Sequence, residues 1–311
     1  MLPYFPFSSA FDLKMGTSPL PNNHPVVETD DHYYQEVMLK RKLLTEDHTY
    51  YYQSTPFTHT AQWEALEKIL QGLSSAYPKK FVYKINAKDR HWENKLLNEK
   101  CDFVLGDDGS LSLEPLDFAG RHVQEDLLLL DAGSVLQAGQ LCFPSGWDLG
   151  SKFGKNFLDL HAPVPSRMGP TLRAADKLIE RLPLHKPIAR TNWGFRITNQ
   201  LDLSSRHTAG YRMSLDERAV KINLENAGDE IFLRSERQIL TRLPSGYVLF
   251  TIHTYNSKVK DECQDAGRAK AMLTFLQTTS SELIEYKVMT PIVKPLIEYL
   301  EGIGKLAQNK Q

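Results

Sequence analysis

Cysteine is scarce in this sequence and its spacing is not that of a metal site. Cys101, Cys142 and Cys263 stand far apart and form neither a CxxC pair nor an iron–sulfur pattern. Inert thiols in a reducing, intracellular setting, the cytoplasm, are the expectation. Long hydrophobic runs are missing as well. The apolar opening from Met1 to Phe7 is short, is broken by Pro3 and Pro6, and lacks the positive charge that begins a signal peptide. Nothing approaches the roughly 18 uninterrupted apolar residues of a membrane span. Charge of one sign is not in excess either: 37 basic residues face 38 acidic ones, for a net charge of −1. Such a balance offers no overall field to nucleic acid or to an anionic membrane, and neither is expected as a partner. Walker A, G-x-S-x-G and H-E-x-x-H signatures are absent. Gly302-Ile303-Gly304-Lys305 follows a helical segment, where a nucleotide loop would need a preceding strand.

What is there is the composition of a globular protein: 311 residues, 41% hydrophobic and 24% charged. That length can bury one large core or two modest ones. Residues 1–25, rich in Pro, Ser and Asn, read as an extended arm. Residues 26–304 read as one domain ending in helices, and 305–311 as a polar tail. Helical spacing marks 30–44, through Tyr33, Val37, Lys40 and Leu44, and 60–73, through Trp63, Leu66, Ile69, Leu70 and Leu73. A helix is also expected over 117–130, where Phe118, Val123, Leu127 and Leu130 recur before Gly133, and two more at 260–278 and 291–303. Gly106-Asp107-Asp108-Gly109, between 102–105 and 111–113, predicts a hairpin turn. Alternating runs at 134–144, 188–198, 220–224, 230–240 and 247–256 predict an antiparallel sheet. Helices and strands do not alternate strictly, so the fold class is α+β, without a doubly wound parallel sheet.

Three stretches can carry chemistry. In the first, Phe143-Pro144-Ser145-Gly146-Trp147 leads through Lys152 and Lys155 to His161-Ala162-Pro163-Val164-Pro165. His161 ends a short helical run just before two prolines that cannot prolong it, so its imidazole sits on a stiffened corner able to present a metal ligand or simply to cap a helix. One histidine cannot hold zinc, but it can suffice for haem, whose porphyrin supplies four nitrogens. The second stretch is Arg190-Thr191-Asn192-Trp193. The third runs from Arg234 to Pro244, where alternation puts Arg234, Glu236 and Gln238 on one face and Ser235, Arg237 and Ile239 on the other. A core-facing Arg237 would need an anion or polar ligand; an edge strand dressed in solvated charge is the alternative.

Taken in order, Met15-Gly16, Gln124-Glu125-Asp126-Leu127, the Phe143–Trp147 and His161–Pro165 runs, Arg190–Trp193 and Arg234–Pro244 resemble the family of the haem-dependent oxidative N-demethylase alpha subunit, over about residues 11–256. The resemblance implies a PAS-like antiparallel sheet enclosing haem b, with helices packed around it and helical additions at both ends. It implies oxidative removal of a methyl group from a small amine, using molecular oxygen and electrons from a partner reductase. It also implies His161 as axial iron ligand, with Arg190, Trp193 and Arg237 at the cofactor and Arg237 polarising bound oxygen or a propionate. His122 is the second candidate ligand, and Lys152 and Lys155 are candidate docking charges for an acidic reductase. Two positions depart from the family pattern: His253 where an arginine is expected, and Thr17 where a leucine is. The competing function is a non-catalytic haem protein that senses a gas or carries haem, but no signalling module accompanies the domain, which favours an enzyme.

Overall fold

The computed structural model describes every residue except 9, 13–15, 22–23 and 309–311. Met15 of the Met15-Gly16 pair and the last three residues of the expected tail therefore lie outside the described residues. The two strongest helical patterns fold as expected. Tyr33–Glu46 buries Tyr33, Val37, Lys40, Leu43 and Leu44, and His59–Ala76 buries Trp63, Leu66, Ile69, Leu70 and Leu73. Each set recurs every three or four residues and so makes one stripe. The chain ends in Ala266–Thr278 and Thr290–Gln308, the latter running on through most of the segment expected as a tail.

In chain order the strands are β1 (Ser18–Pro19), β2 (Tyr52–Ser54), β3 (Phe81–Asn86), β4 (Asp89–Asn94), β5 (Glu99–Val104), β6 (Asp126–Leu130), β7 (Leu136–Gln140), β8 (Ile188–Arg196), β9 (Phe232–Arg242) and β10 (Val248–Lys258). Seven form one sheet in the order β1-β8-β9-β10-β6-β7-β2, and β3-β4-β5 form a separate meander. Every pairing is antiparallel. The fold is thus mixed helix and antiparallel sheet.

Three expected elements differ. The helix over 117–130 is instead a short helix, Pro115–Gly120, followed by β6, whose five residues are all buried. A central strand covered on both faces reads as a continuous apolar run, which periodicity alone cannot tell from a buried helix. Gly106–Gly109 is not a hairpin turn, because β5 pairs back with β4 and Asp108–Ser110 is a 3-10 turn whose Asp107 carboxylate accepts from Gly109 N. The polar β3 and β4 left no clean alternation to read. Residues 220–224 follow the helix Ser205–Ala219, in which only Leu215 is buried, and form a turn rather than a strand.

The large sheet has two covered faces. One carries Leu128, Leu130, Leu240, Val248 and Ile252 and packs under Leu149, Phe157, Ala175, Ile179 and Leu182 from the segment between β7 and β8; we call it the inner face. The other carries Leu127, Leu129 and Leu249 against the first two long helices, and Phe195, Leu233 and Tyr255 against the C-terminal helices with Leu2 and Phe7.

Asp126 joins the sheet to the Phe143–Trp147 run. Its carboxylate accepts from Cys142 N at 2.7 Å and from Phe143 N at 3.0 Å, while burial pushes its pKa up to about 6. Asp126→Ala leaves both N–H groups without that acceptor, at about 1–3 kcal/mol each. Urea unfolding is expected to show a loss of about 3 kcal/mol; a loss below about 0.5 kcal/mol would mean that the anchor carries no stability.

Candidate haem site

His161 follows the helical turn Phe157–Leu160, which Asn156 caps by accepting from Asp159 N. Its Nδ1 lies 2.8 Å from Phe157 O, and the two rings are 4.2 Å apart. A carbonyl only accepts, so Nδ1 carries the proton and Nε2 keeps its lone pair. Burial pushes the imidazole pKa below its usual value; the Phe157 bond opposes this, and the charges of Arg190 and Lys152 add to the lowering. His161 is therefore neutral near pH 7. A neutral ring held through one nitrogen, with the other presented, is the form that ligates iron.

Lys152, expected as a docking charge, donates instead to Leu160 O at 2.5 Å and closes the turn before His161. Lys155 is exposed. His122 occupies a different environment: it is buried between Trp92 and Phe118, beside Asn94 Nδ2, and burial pushes its pKa down to about 3.

On the inner face, β8 presents Arg190, Asn192 and Arg196, and β9 presents Arg234, Glu236 and Gln238, with Arg190 opposite Gln238 and Asn192 opposite Glu236. Glu236 Oε2 accepts from Asn192 Nδ2 at 3.1 Å and from Gln238 Nε2 at 3.0 Å, and Arg234 Nε lies 3.7 Å from Oε1. Lys287, from the loop after the helix Ser281–Tyr286, reaches the edge of β8 and donates to Trp193 O at 2.6 Å. Arg234 also donates to Phe143 O at 2.6 Å, and Arg196 to Ser145 Oγ at 2.9 Å. The Phe143–Trp147 run is thus a turn clamped by two guanidiniums.

The four residues expected at one cofactor do not converge, because the sheet divides them. His161 and Arg190 share the inner side. Arg237 and Trp193 point to the other side by strand parity. Arg237 is buried, yet its anion is Glu28, at 3.5 Å, and it donates to Pro25 O at 2.6 Å and Val26 O at 3.4 Å. It pins the segment that crosses this face, and the solvated edge strand considered for it does not exist. Trp193 packs among Phe7, Phe195 and Phe275. Glu236, Gln238, Asn192 and Lys287 are the additional polar residues of the inner site. Alternation had already grouped the first two with Arg234; which face His161 would cover is a tertiary fact.

Beside Arg237, His253 Nδ1 lies 2.9 Å from Glu125 Oε1, both fully buried, while Glu125 Oε2 and His253 Nε2 have no partner among the described residues. Burial disfavours the imidazolium, but Glu125, Glu28 and Glu36 outweigh it and raise the His253 pKa above 6.5. Burial likewise opposes the Glu125 carboxylate, and His253, Glu28 N and Arg237 outweigh it, holding its pKa below 4.5. The raised histidine stabilises fully below its unfolded value and loses that contribution as pH rises through the folded one. The lowered carboxylate stabilises fully above its unfolded value. The pair contributes most between about pH 4.5 and 6.5. Urea midpoints measured from pH 5 to 9 are expected to fall above pH 6.5, with a flatter fall in His253→Gln; equal slopes would remove the imidazolium from the account.

The described residues hold no helix long and apolar enough to cross a membrane. A family model described as haem-dependent oxidative N-demethylase, alpha subunit-like, matches residues 19–297. That span takes in His161, both faces of the sheet and the clamped turn, and the chain belongs to the haem-dependent oxidative N-demethylase, alpha subunit-like, family.

Proposed function

We propose that this protein binds haem b between the inner face of the sheet and the His161 segment, and uses it to demethylate a small amine oxidatively. The observation that carries the reading is His161: neutral, oriented through Phe157 O so that Nε2 keeps its lone pair, and within electrostatic reach of Arg190 on the inner face. Strand order supports a PAS-like reading. Within β7-β6-β10-β9-β8 the first strand of the set sits between the second and the last, with the short helices of the inner side inserted after the second.

When bound, haem would supply the redox-active iron and the oxygen chemistry. The chain's residues would do the rest. His161 holds the group from one side. The carboxylate of Glu236, fixed by Asn192 and Gln238, offers the amine an acceptor for its N–H. The apolar surface of Leu240, Phe250 and Ile252 excludes water from that end of the face. The cavity beside Arg196, Leu203 and Tyr211 holds about 30 Å³, room for little more than a water.

His161→Ala is expected to abolish stoichiometric haem, read as Soret absorbance per chain after expression with added haem, while His122→Ala retains it. An unchanged spectrum in His161→Ala would overturn the assignment. Turnover needs an external electron source, since the sequence has neither a dinucleotide fingerprint nor a cysteine cluster. With NADPH, oxygen and candidate amines, formaldehyde is expected only when a reductase is added. Sustained release from the chain alone would refute the need for a partner, and no release with any reductant would leave the gas-sensing or haem-carrying reading.

A further inference from the structure

The helix Ser205–Ala219 has little apolar anchorage. A helix of this length draws most of its stability from a buried apolar face, yet only Leu215, in its second half, is buried. Its start is poorly supported as well. The N-cap residue, Ser204, makes no side-chain cap, and the buried Ser204 Oγ has no hydrogen-bond partner among the described residues, so an acceptor that normally steadies the first turn is not used. Gly210 stands inside the helix with open space where a Cβ would be. No packing demands a glycine there, and glycine makes uncoiling about threefold easier than alanine does.

Contacts from outside the helix stand in for what it lacks. Tyr50 Oη accepts from Arg206 N at 3.3 Å and lies 3.2 Å from Ser205 Oγ. The Arg206 guanidinium lies 3.5 Å from the Tyr50 ring centre and donates to Asp47 Oδ2 at 2.6 Å. Ser205 donates to Asp148, whose other oxygen caps the short helix Leu149–Lys152, and His207 Nε2 lies 3.2 Å from Asp202 Oδ2. Ser205, Arg206 and His207 are all exposed, and exposed pairs of this kind add little each. The chain is fixed on either side of them. Leu203 N donates to Pro144 O and Leu203 O accepts from Gly146 N, while Leu215 and the donation from Arg218 to Ile197 O at 2.9 Å hold the second half. Beneath the stretch in between lies the small cavity where His207, Thr208 and Tyr211 meet Arg196, Leu203 and Val288.

We propose that residues 205–210 are a gate: the first turns of the helix uncoil between Leu203 and Leu215 and open this cavity, at the end of β8, to small molecules. Segments with few buried apolar contacts open locally at low cost, and this one covers the cavity with polar surface contacts at its outer end. The contacts of Arg206 are the latch, and Gly210 is the joint. Arg196, on the cavity wall, is within electrostatic reach of Glu236. That an amine takes this way rests on the function proposed above; the opening itself does not.

The test follows amide hydrogen exchange in the full chain, and maleimide labelling of a thiol placed in the cavity wall by Leu203→Cys, with the unsubstituted protein run to account for Cys101, Cys142 and Cys263. Both measurements are repeated with Arg206→Ala, which removes the latch, and with Gly210→Ala, which stiffens the joint. Amides of 208–212 are expected to exchange at least about tenfold faster than those of His59–Ala76. Their exchange and the labelling are expected to quicken about threefold in Arg206→Ala and to slow about threefold in Gly210→Ala, with His59–Ala76 unchanged. Exchange in 208–212 as slow as in His59–Ala76, or labelling indifferent to both variants, overturns the proposal. If Leu203→Cys does not fold, exchange in the wild type and the two surface variants decides alone. Failure to bind haem or an amine defeats the function proposed above and leaves these rates as they are.

Discussion

A charge inside a sheet that is covered on both faces must be met at once by a partner, and β9 carries three such charges in a row of four residues. Arg234, Glu236 and Arg237 are each nearly inaccessible to water, and leaving any one of them unpaired would cost about 3–5 kcal/mol. Arg237 is met by Glu28 and the carbonyls of the segment crossing the outer side, Arg234 by the carbonyls of Phe143 and Pro144, and Glu236 by amides of β8 and of β9 itself. The N-terminal crossing and the clamped turn are placed where β9 needs partners.

This requirement divides the molecule's polar interior into two sites with opposite character. On the outer side, acidic Glu28, Glu36 and Glu125 surround Arg237 and His253, and the pairing is nearly complete within the protein. On the inner side, Arg190, Arg196, Arg234 and Lys287 act electrostatically on Glu236, and Asp126 acts on Arg234. His161 and Arg190 lie on the inner side and Arg237 and Trp193 on the outer one.

Amphipathic helices such as Tyr33–Glu46 and His59–Ala76, and the long strands β8, β9 and β10, were legible because each has one periodic stripe or a sustained alternation. The four leucines of β6 were not, since a strand buried on both faces has no period to show. The meander β3–β5 was hidden by polar residues such as Lys84, Asp89 and Glu93, and by the weak inward signal of Phe81, Trp92 and Phe103 alone. For the candidate site, the proline-bounded corner singled out His161 as a candidate, and alternation gave the parity of β9. Which parity faces His161 depends on the chain's path between β7 and β8, and Lys287 arrives from a distant loop; neither is a local property.

The pairing of β6 with β10 joins Leu130 to Val248, and everything that builds the inner site from β7 through β9 lies within that span. The hairpins β6–β7 and β9–β10 are local in sequence and cost little loop entropy, whereas joining them closes a very large loop. The order of assembly follows: two hairpins early, their docking late, and the histidine corner meeting the arginines only at that last closure. A chain paused before it has not yet brought the His161 corner to the inner face, so on the proposed reading cofactor uptake would report completed folding as well as composition.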